Sequence, residues 1–121
     1  MYKIRLKDCK KILAGDKCSL REMLHPDKAD LCIRYSLAHA TVKPGKKTTA
    51  HKLKTSEVYY IMKGSGVMYI DNESSSVSKG CTVYIPPRAS QCIKNTGKRD
   101  LVFLCIVDPA WRKEDEEVMD E

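Results

Sequence analysis

Histidine and cysteine side chains offer the widest range of metal-binding and nucleophilic chemistry in this sequence. The 121 residues include three histidines and six cysteines. The cysteines form no Cys-x-x-Cys pair, and no Cys/His cluster has zinc-finger spacing. A metal site must therefore use most of the histidines or take carboxylate and amide ligands. We expect the cysteines to be reduced thiols, with Cys32, Cys92 and Cys105 packed in apolar segments.

Short apolar segments, rich in Ile, Val, Tyr and Leu, must position these groups. Turn residues such as Pro44, Gly45 and Gly80 separate the segments. The predicted strands are residues 31–42, 57–62, 67–70, 81–85, 90–94 and 101–107. Short strands at even spacing with Gly and Pro turns predict an antiparallel barrel or sandwich.

Helix is predicted only near the ends of the chain. Ser19 and Glu22 have the spacing of a capping box, which predicts a short helix that Pro26 would end. Residues 111–121 have a helix-forming composition but few apolar side chains, so they form either a short docked helix or a frayed end.

Two motifs at fixed spacing run through the predicted strands. Their residues are Gly45, His51, Glu57 and Gly64 in the first and Gly80, Pro86 and Asn95 in the second. At this spacing the sequence resembles the cupin superfamily, in its small single-domain, type-2 conserved-barrel group. The resemblance implies an all-β fold, a double-stranded β-helix (jelly-roll) barrel with short terminal helical segments. The barrel would span residues 31–108, after an N-terminal edge strand and arm at 1–30 and before an acidic tail at 109–121.

The resemblance also implies a divalent metal inside the barrel, with His51, Glu57 and Gln91 as its ligands. Gln91 stands where the family has a third histidine, and its carbonyl oxygen is a neutral ligand for zinc, nickel, manganese or iron. Leu53 stands at the position of the second histidine and cannot ligate. Arg88 replaces a glycine of the second motif, which predicts a strained or altered turn, or an arginine that reaches an anionic ligand.

Two further residues are candidates for catalysis. If Ile33 and Leu37 face the interior of the barrel, strand alternation brings His39 inside as well. His39 would then be a fourth ligand or a general base, whereas a rim position would leave it to hydrogen-bond a neighbouring carbonyl. Tyr59 shares the face of Glu57, and we expect it in the pocket.

These features leave two functional hypotheses open. The first is a metal-dependent barrel that binds a small organic or sugar-type ligand, with isomerase, decarboxylase or dioxygenase chemistry as possible reactions. The second is a metal-free small-molecule-binding module whose catalytic site has degenerated. Cupins commonly pair through N-terminal strands, and the alternating Tyr2, Ile4 and Leu6 predict such an edge strand and a homodimer.

The charge distribution bears on the ligand and on other partners. The net charge is +6, but residues 1–113 carry +12 and residues 114–121 carry −6. A basic barrel favours an anionic small molecule. No nucleic-acid motif or set of stacking aromatic residues accompanies the charge, so we expect no nucleic acid partner. No apolar run reaches the ~18 residues of a membrane span, and no secretory signal pattern is seen, which predicts a cytoplasmic protein without a membrane partner.

Overall fold

Two antiparallel sheets face each other and enclose the core. The computed structural model describes residues 1–14 and 16–119. Its strands are β1 (Lys11–Leu13), β2 (Ser19–Leu24), β3 (Ser36–Val42), β4 (His51–Leu53), β5 (Ser56–Lys63), β6 (Ser65–Ile70), β7 (Glu73–Ser78), β8 (Thr82–Ile85), β9 (Gln91–Asn95), β10 (Leu101–Asp108) and β11 (Glu116–Val118). One sheet has the order β1-β2-β3-β10-β5-β8, and the other has the order β11-β4-β9-β6-β7. This arrangement confirms the predicted jelly-roll barrel.

Alternating burial along the central strands builds the core. On β10 every second residue from Leu101 is buried, and Phe103 is almost inaccessible to solvent. The Phe103 ring packs on the ring of Tyr59 in β5, with their centroids 4.5 Å apart. The described part of the chain has no helix with the length and apolar character needed to span a membrane.

The expectation that His39 enters the barrel is wrong. On β3 the buried residues are Ser36, Ala38, Ala40 and Val42, so His39 lies on the outer face. Its neighbours across the sheet are Leu104 of β10 and Arg21 of β2. The small side chains at 36, 38 and 40 leave interior space for larger groups such as Phe103 and Tyr59. Because alternate residues of a strand point to opposite faces, burying these small side chains turns residues 37, 39 and 41 outward.

The terminal segments also differ from the prediction. Ser19–Leu24 is a strand that pairs with β3, because sheet pairing outweighs the local capping signal. Residues 1–5 contain no strand, and the edge of the sheet is β1 instead. The terminal helical segments are two 3₁₀ turns, Leu6–Asp8 and Lys113–Asp115. The tail neither frays nor forms an α-helix over 116–118, since β11 pairs with β4.

Two strands between β3 and β10 have no clear signal in the sequence. β4 has three residues, too few for a periodic pattern. β7 is rich in serine because it is an edge strand with mostly exposed side chains.

Candidate functional site

Three polar side chains meet inside one end of the barrel. His51 begins β4, Glu57 lies near the start of β5, and Gln91 begins β9. His51 and Gln91 are direct partners in the sheet register. All three side chains are buried. The structure therefore brings together the three residues that the sequence predicts as ligands, although their binding of a metal stays a prediction.

A short hydrogen-bond chain connects the buried groups. The Tyr59 hydroxyl donates to Oε1 of Gln91 over 3.1 Å, and the Gln91 side chain hydrogen-bonds the Glu57 carboxyl group. Oε1 of Glu57 has no hydrogen-bond partner among the described residues. Tyr59 is thus a support for Gln91, and one acceptor of Glu57 is left over.

Two carboxylates that the sequence analysis missed flank the imidazole of His51. Oδ2 of Asp16, from the β1–β2 connection, lies 3.6 Å from Nδ1, and Oε2 of Glu116, from β11, lies 4.0 Å from Nε2. The carbonyl oxygen of Thr49 lies 3.2 Å from Nδ1. Asp16 is in a connection and Glu116 is one of many acids in the tail, so neither had a periodic signal. The pairing of Glu116 with Leu53 across β11 and β4 places it here.

Burial controls the protonation of this cluster. Desolvation raises the pKa of Glu57 to about 8, against the hydrogen bond from Gln91, and the carboxylates of Asp16 and Glu116 raise it further. Desolvation also raises the pKa of Glu116, which His51 opposes. The pKa values of the Cys18 and Cys105 thiols are raised well above their usual range, chiefly by burial. Glu57 is therefore mainly a neutral acid at pH 7, and these thiols are not nucleophiles there.

A cavity of about 180 Å³ opens beside these groups. Apolar side chains form much of its wall, among them Ile12, Leu13, Leu20, Leu53 and Trp111. Its ionisable oxygen and nitrogen groups are Asp16, Glu22, Lys28, His51, Glu57 and Glu116. The Lys28 ammonium pairs with the Glu22 carboxylate. The cavity therefore combines an apolar wall with an acid-rich end.

The predicted ligands already make other contacts in this structure. Within 1–14 and 16–119, no group of three or more His, Cys, Asp or Glu residues is placed to hold a metal ion. Oε1 of Gln91 already accepts a hydrogen bond from Tyr59, and Nδ1 of His51 faces Asp16 and Thr49. Leu53 is buried at the cavity wall and supplies no donor atom. Gln91 and His51 thus have partners outside the predicted ligand set, whereas Oε1 of Glu57 has none among the described residues.

Four predicted residues do not line this cavity: Gln91, Tyr59, His39 and Arg88. His39 lines a separate surface groove with Arg21, Lys43 and Asp100. Its pKa is lowered by partial burial and by the nearby Arg21. Arg88 is exposed with a φ of 69°, as expected for a residue in a glycine position, and its N–H donates to the carbonyl oxygen of Leu53. It lines a shallow pocket with the acidic tail residues 114–117.

Comparison with known proteins supports the architecture. The sequence model of the family described as "Cupin domain" matches residues 38–107. The uncharacterized protein MJ1618 of Methanocaldococcus jannaschii is 42% identical over 112 residues, which is 92% of this chain and 89% of that protein. The oxalate-binding protein of Thermotoga maritima is 32% identical over 88 residues, which is 72% of this chain and 68% of that protein.

Solved structures share the fold at low sequence identity. A structure described as a predicted oxalate decarboxylase from Thermotoga maritima has a TM-score of 0.76 at 23% identity, and covers 89% of this chain and 99% of that one. A Streptomyces PAC13 variant with uridine has a TM-score of 0.79 at 16% identity, and covers 99% and 92%. On its matching family model, its relatives and its barrel, the chain belongs to the cupin family.

Proposed function

We propose that this protein binds a small organic molecule in the cavity beside His51 and Glu57, and that it does so without a metal. The observation that carries the proposal is the unsatisfied Oε1 of Glu57, a buried residue that lines the cavity. An unpaired buried polar atom costs about 1–3 kcal/mol, and a donor on a ligand would remove that cost. Few native side chains are left in this state without a functional reason.

The size and the walls of the cavity indicate the kind of ligand. An engineered apolar cavity of ~150 Å³ is large enough to hold benzene. The cavity of this protein is about 180 Å³ and has Leu20, Leu53 and Trp111 in its wall. A ligand with one ring and a polar head would place the ring on this wall and the head against Glu57. The oxalate-binding relative supports small-molecule binding in general, not this particular ligand.

Only a few protein groups would contact the polar head. The neutral carboxyl of Glu57 both donates and accepts, since burial raises its pKa to about 8. Gln91, itself held by Tyr59, orients that carboxyl. The carbonyl oxygen of Thr49 holds Nδ1 of His51, whose ring lies between the carboxylates of Asp16 and Glu116. This set of groups is suited to orienting a ligand through directional hydrogen bonds.

Blocking the cavity tests this proposal. Ala14 lines the cavity and is partly buried, so Ala14→Phe would place a ring in the space of the ligand. Native mass spectrometry of EDTA-treated, tag-free protein should show a small organic molecule bound to the wild type and none bound to this variant. Ala29→Phe, outside the cavity lining, is the matched control and should keep the ligand. Equal occupancy in wild type and Ala14→Phe would contradict the proposal.

A metal-dependent function is the second candidate, because His51, Glu57 and Gln91 do lie together as the family pattern implies. It requires the side chains to rearrange so that these donors converge on one ion. Metal analysis of tag-free protein distinguishes the two candidates. The metal-dependent function would be favoured if the protein carried about one equivalent of zinc, nickel, manganese or iron and lost both the metal and the ligand in EDTA.

A further inference from the structure

Carboxyl groups outnumber basic groups in the cavity lining, although the chain as a whole is basic. The net charge of the chain is +6. The described cavity lining carries four carboxyl groups, Asp16, Glu22, Glu57 and Glu116, against the ammonium of Lys28 and the imidazole of His51. Lys28 is already paired with Glu22. Of the three remaining carboxyl groups, those of Asp16 and Glu116 flank the imidazole of His51. That of Glu57, which burial keeps mainly protonated at pH 7, has the unpartnered Oε1.

These three carboxyl groups reach the cavity from different parts of the fold. Asp16 comes from the β1–β2 connection, Glu57 from β5 and Glu116 from β11. Asp16 and Glu116 lie on either side of the His51 ring, at 3.6 Å and 4.0 Å from its two nitrogens. One imidazole bears at most one positive charge and two N–H donors, so it cannot satisfy all three carboxyl groups. The unpartnered Oε1 of Glu57 is the acceptor that remains.

An anionic ligand would meet repulsion here and would find no unpaired lysine or arginine among the described lining residues. A compact divalent ion would need donors that converge on one point, which these side chains do not provide. A larger cation with several N–H donors can contact carboxyl groups that are spread around the cavity end.

We propose that the ligand of this cavity is an organic cation, a primary ammonium or a similar group carried on an apolar body about the size of one ring. The inference rests on the proposed function of the cavity and adds the class of its ligand. The positive head lies among Asp16, Glu57 and Glu116, and donates to Oε1 of Glu57. The apolar body packs on Leu13, Leu20, Leu53 and Trp111.

Three probes of nearly equal shape test the sign of the charge. EDTA-treated protein at pH 7 and low salt is titrated with benzylamine, which is protonated at that pH, with benzyl alcohol and with benzoate. We expect benzylamine to bind at least ten times more tightly than benzyl alcohol, and benzoate to bind most weakly. Equal or tighter binding of benzyl alcohol or benzoate would overturn the cationic class while leaving the cavity as a ligand site. No binding of any probe would count against both proposals, and a larger thermal shift with zinc than with benzylamine would favour a metal.

Adjacent glutamates on β11 provide a matched pair of variants. Glu116 lines the cavity, whereas its neighbour Glu117 is exposed outside it. We expect Glu116→Gln to weaken benzylamine binding at least fivefold and to leave benzyl alcohol binding unchanged, while Glu117→Gln changes neither. If Glu116 had only a structural role, Glu116→Gln would weaken both probes equally, and that result would contradict the inference.

Discussion

The two ends of β9 lie beside buried polar groups with opposite degrees of hydrogen-bond satisfaction. At one end, Nδ2 of Asn95 donates to the carbonyl oxygens of Val42 and Arg99, and its Oδ1 accepts from the N–H of Gly97. At the other end, Gln91 supports Glu57, whose Oε1 has no partner in the described part of the chain.

The two ends of β9 also differ in how closely the surrounding chain is packed. Around Asn95 the backbone is packed so closely that a Cβ on Gly66 would clash with the carbonyl oxygen of Lys94, and one on Gly64 would lie 2.7 Å from that of Asp100. Around Gln91 and Glu57 the barrel leaves a cavity of about 180 Å³, which Glu57 lines. Both ends belong to the motifs that identify the family. Asn95 therefore stabilises the fold, whereas the Glu57 end keeps a hydrogen-bond acceptor without a partner in the described chain.

The largest expected effect is at the closed end. Asn95→Ala removes three hydrogen bonds to backbone groups at a buried position, so we expect the free energy of unfolding to fall by about 4 kcal/mol. Urea denaturation measures the loss. Lys94→Ala, at the exposed neighbouring position, should change stability by less than ~0.5 kcal/mol. A loss below ~1 kcal/mol for Asn95→Ala would remove the proposed difference between the two ends.

At the open end, stability should depend on pH. Glu57 has an ordinary pKa of 4.5 when unfolded and a pKa of about 8 when folded, so the folded protein holds the proton more tightly. The free energy of unfolding therefore falls as pH rises from 4.5 to 8, by up to about 1.4 kcal/mol per pH unit. Below pH 4.5 the ionisation of Glu57 causes no loss of stability, and above pH 8 the loss is complete.

Two variants isolate the contribution of Glu57 to this pH dependence. In urea denaturation at a series of pH values, Glu57→Gln should flatten the decline between pH 5 and 8. Glu22→Gln should retain the decline, since Glu22 is paired with Lys28. The same pH profile for wild type and Glu57→Gln would show that Glu57 is not the group responsible.

A variant at Leu53 tests whether a metal site can be built beside His51 and Glu57. Leu53→His places an imidazole on the same strand face as His51, and we expect a loss of about 2 kcal/mol because an apolar buried group is replaced by a polar one. Added zinc or nickel should restore the midpoint of thermal unfolding of this variant and leave that of Leu53→Ala unchanged. If the wild type responded to these ions as strongly, the metal-free proposal would be wrong.

The smallest effect is expected at Arg88. Its φ of 69° is strained for a side chain with a Cβ, whereas glycine adopts it freely. Arg88→Gly should raise the free energy of unfolding by about 1 kcal/mol, measured by urea denaturation. Lys17→Gly, at a φ of 70°, is a second position where the same gain is expected. A loss of stability at Arg88 would mean that its side chain contributes more than the backbone strain costs.

Much of the fold follows from residue spacing. The predicted segments at 57–62, 90–94 and 101–107 agree with β5, β9 and β10 to within one residue, because their apolar side chains are numerous and buried. β7 was missed because an edge strand with exposed serines has no apolar alternation. The capping signal at Ser19 was misleading, because pairing with β3 decides the structure there.

Strand spacing and motif residues are local properties of the chain, and they were enough to predict the family, the barrel and the proximity of His51, Glu57 and Gln91. The face of β3, and with it the exclusion of His39, depends on how the folded sheets pack. The tertiary structure also brought Asp16 and Glu116 to His51 from opposite ends of the sequence. The physical reason is that hydrogen-bond satisfaction and cavity charge depend on contacts between distant segments. A net charge of +6 summed over the chain therefore does not reveal that four carboxyl groups line the cavity.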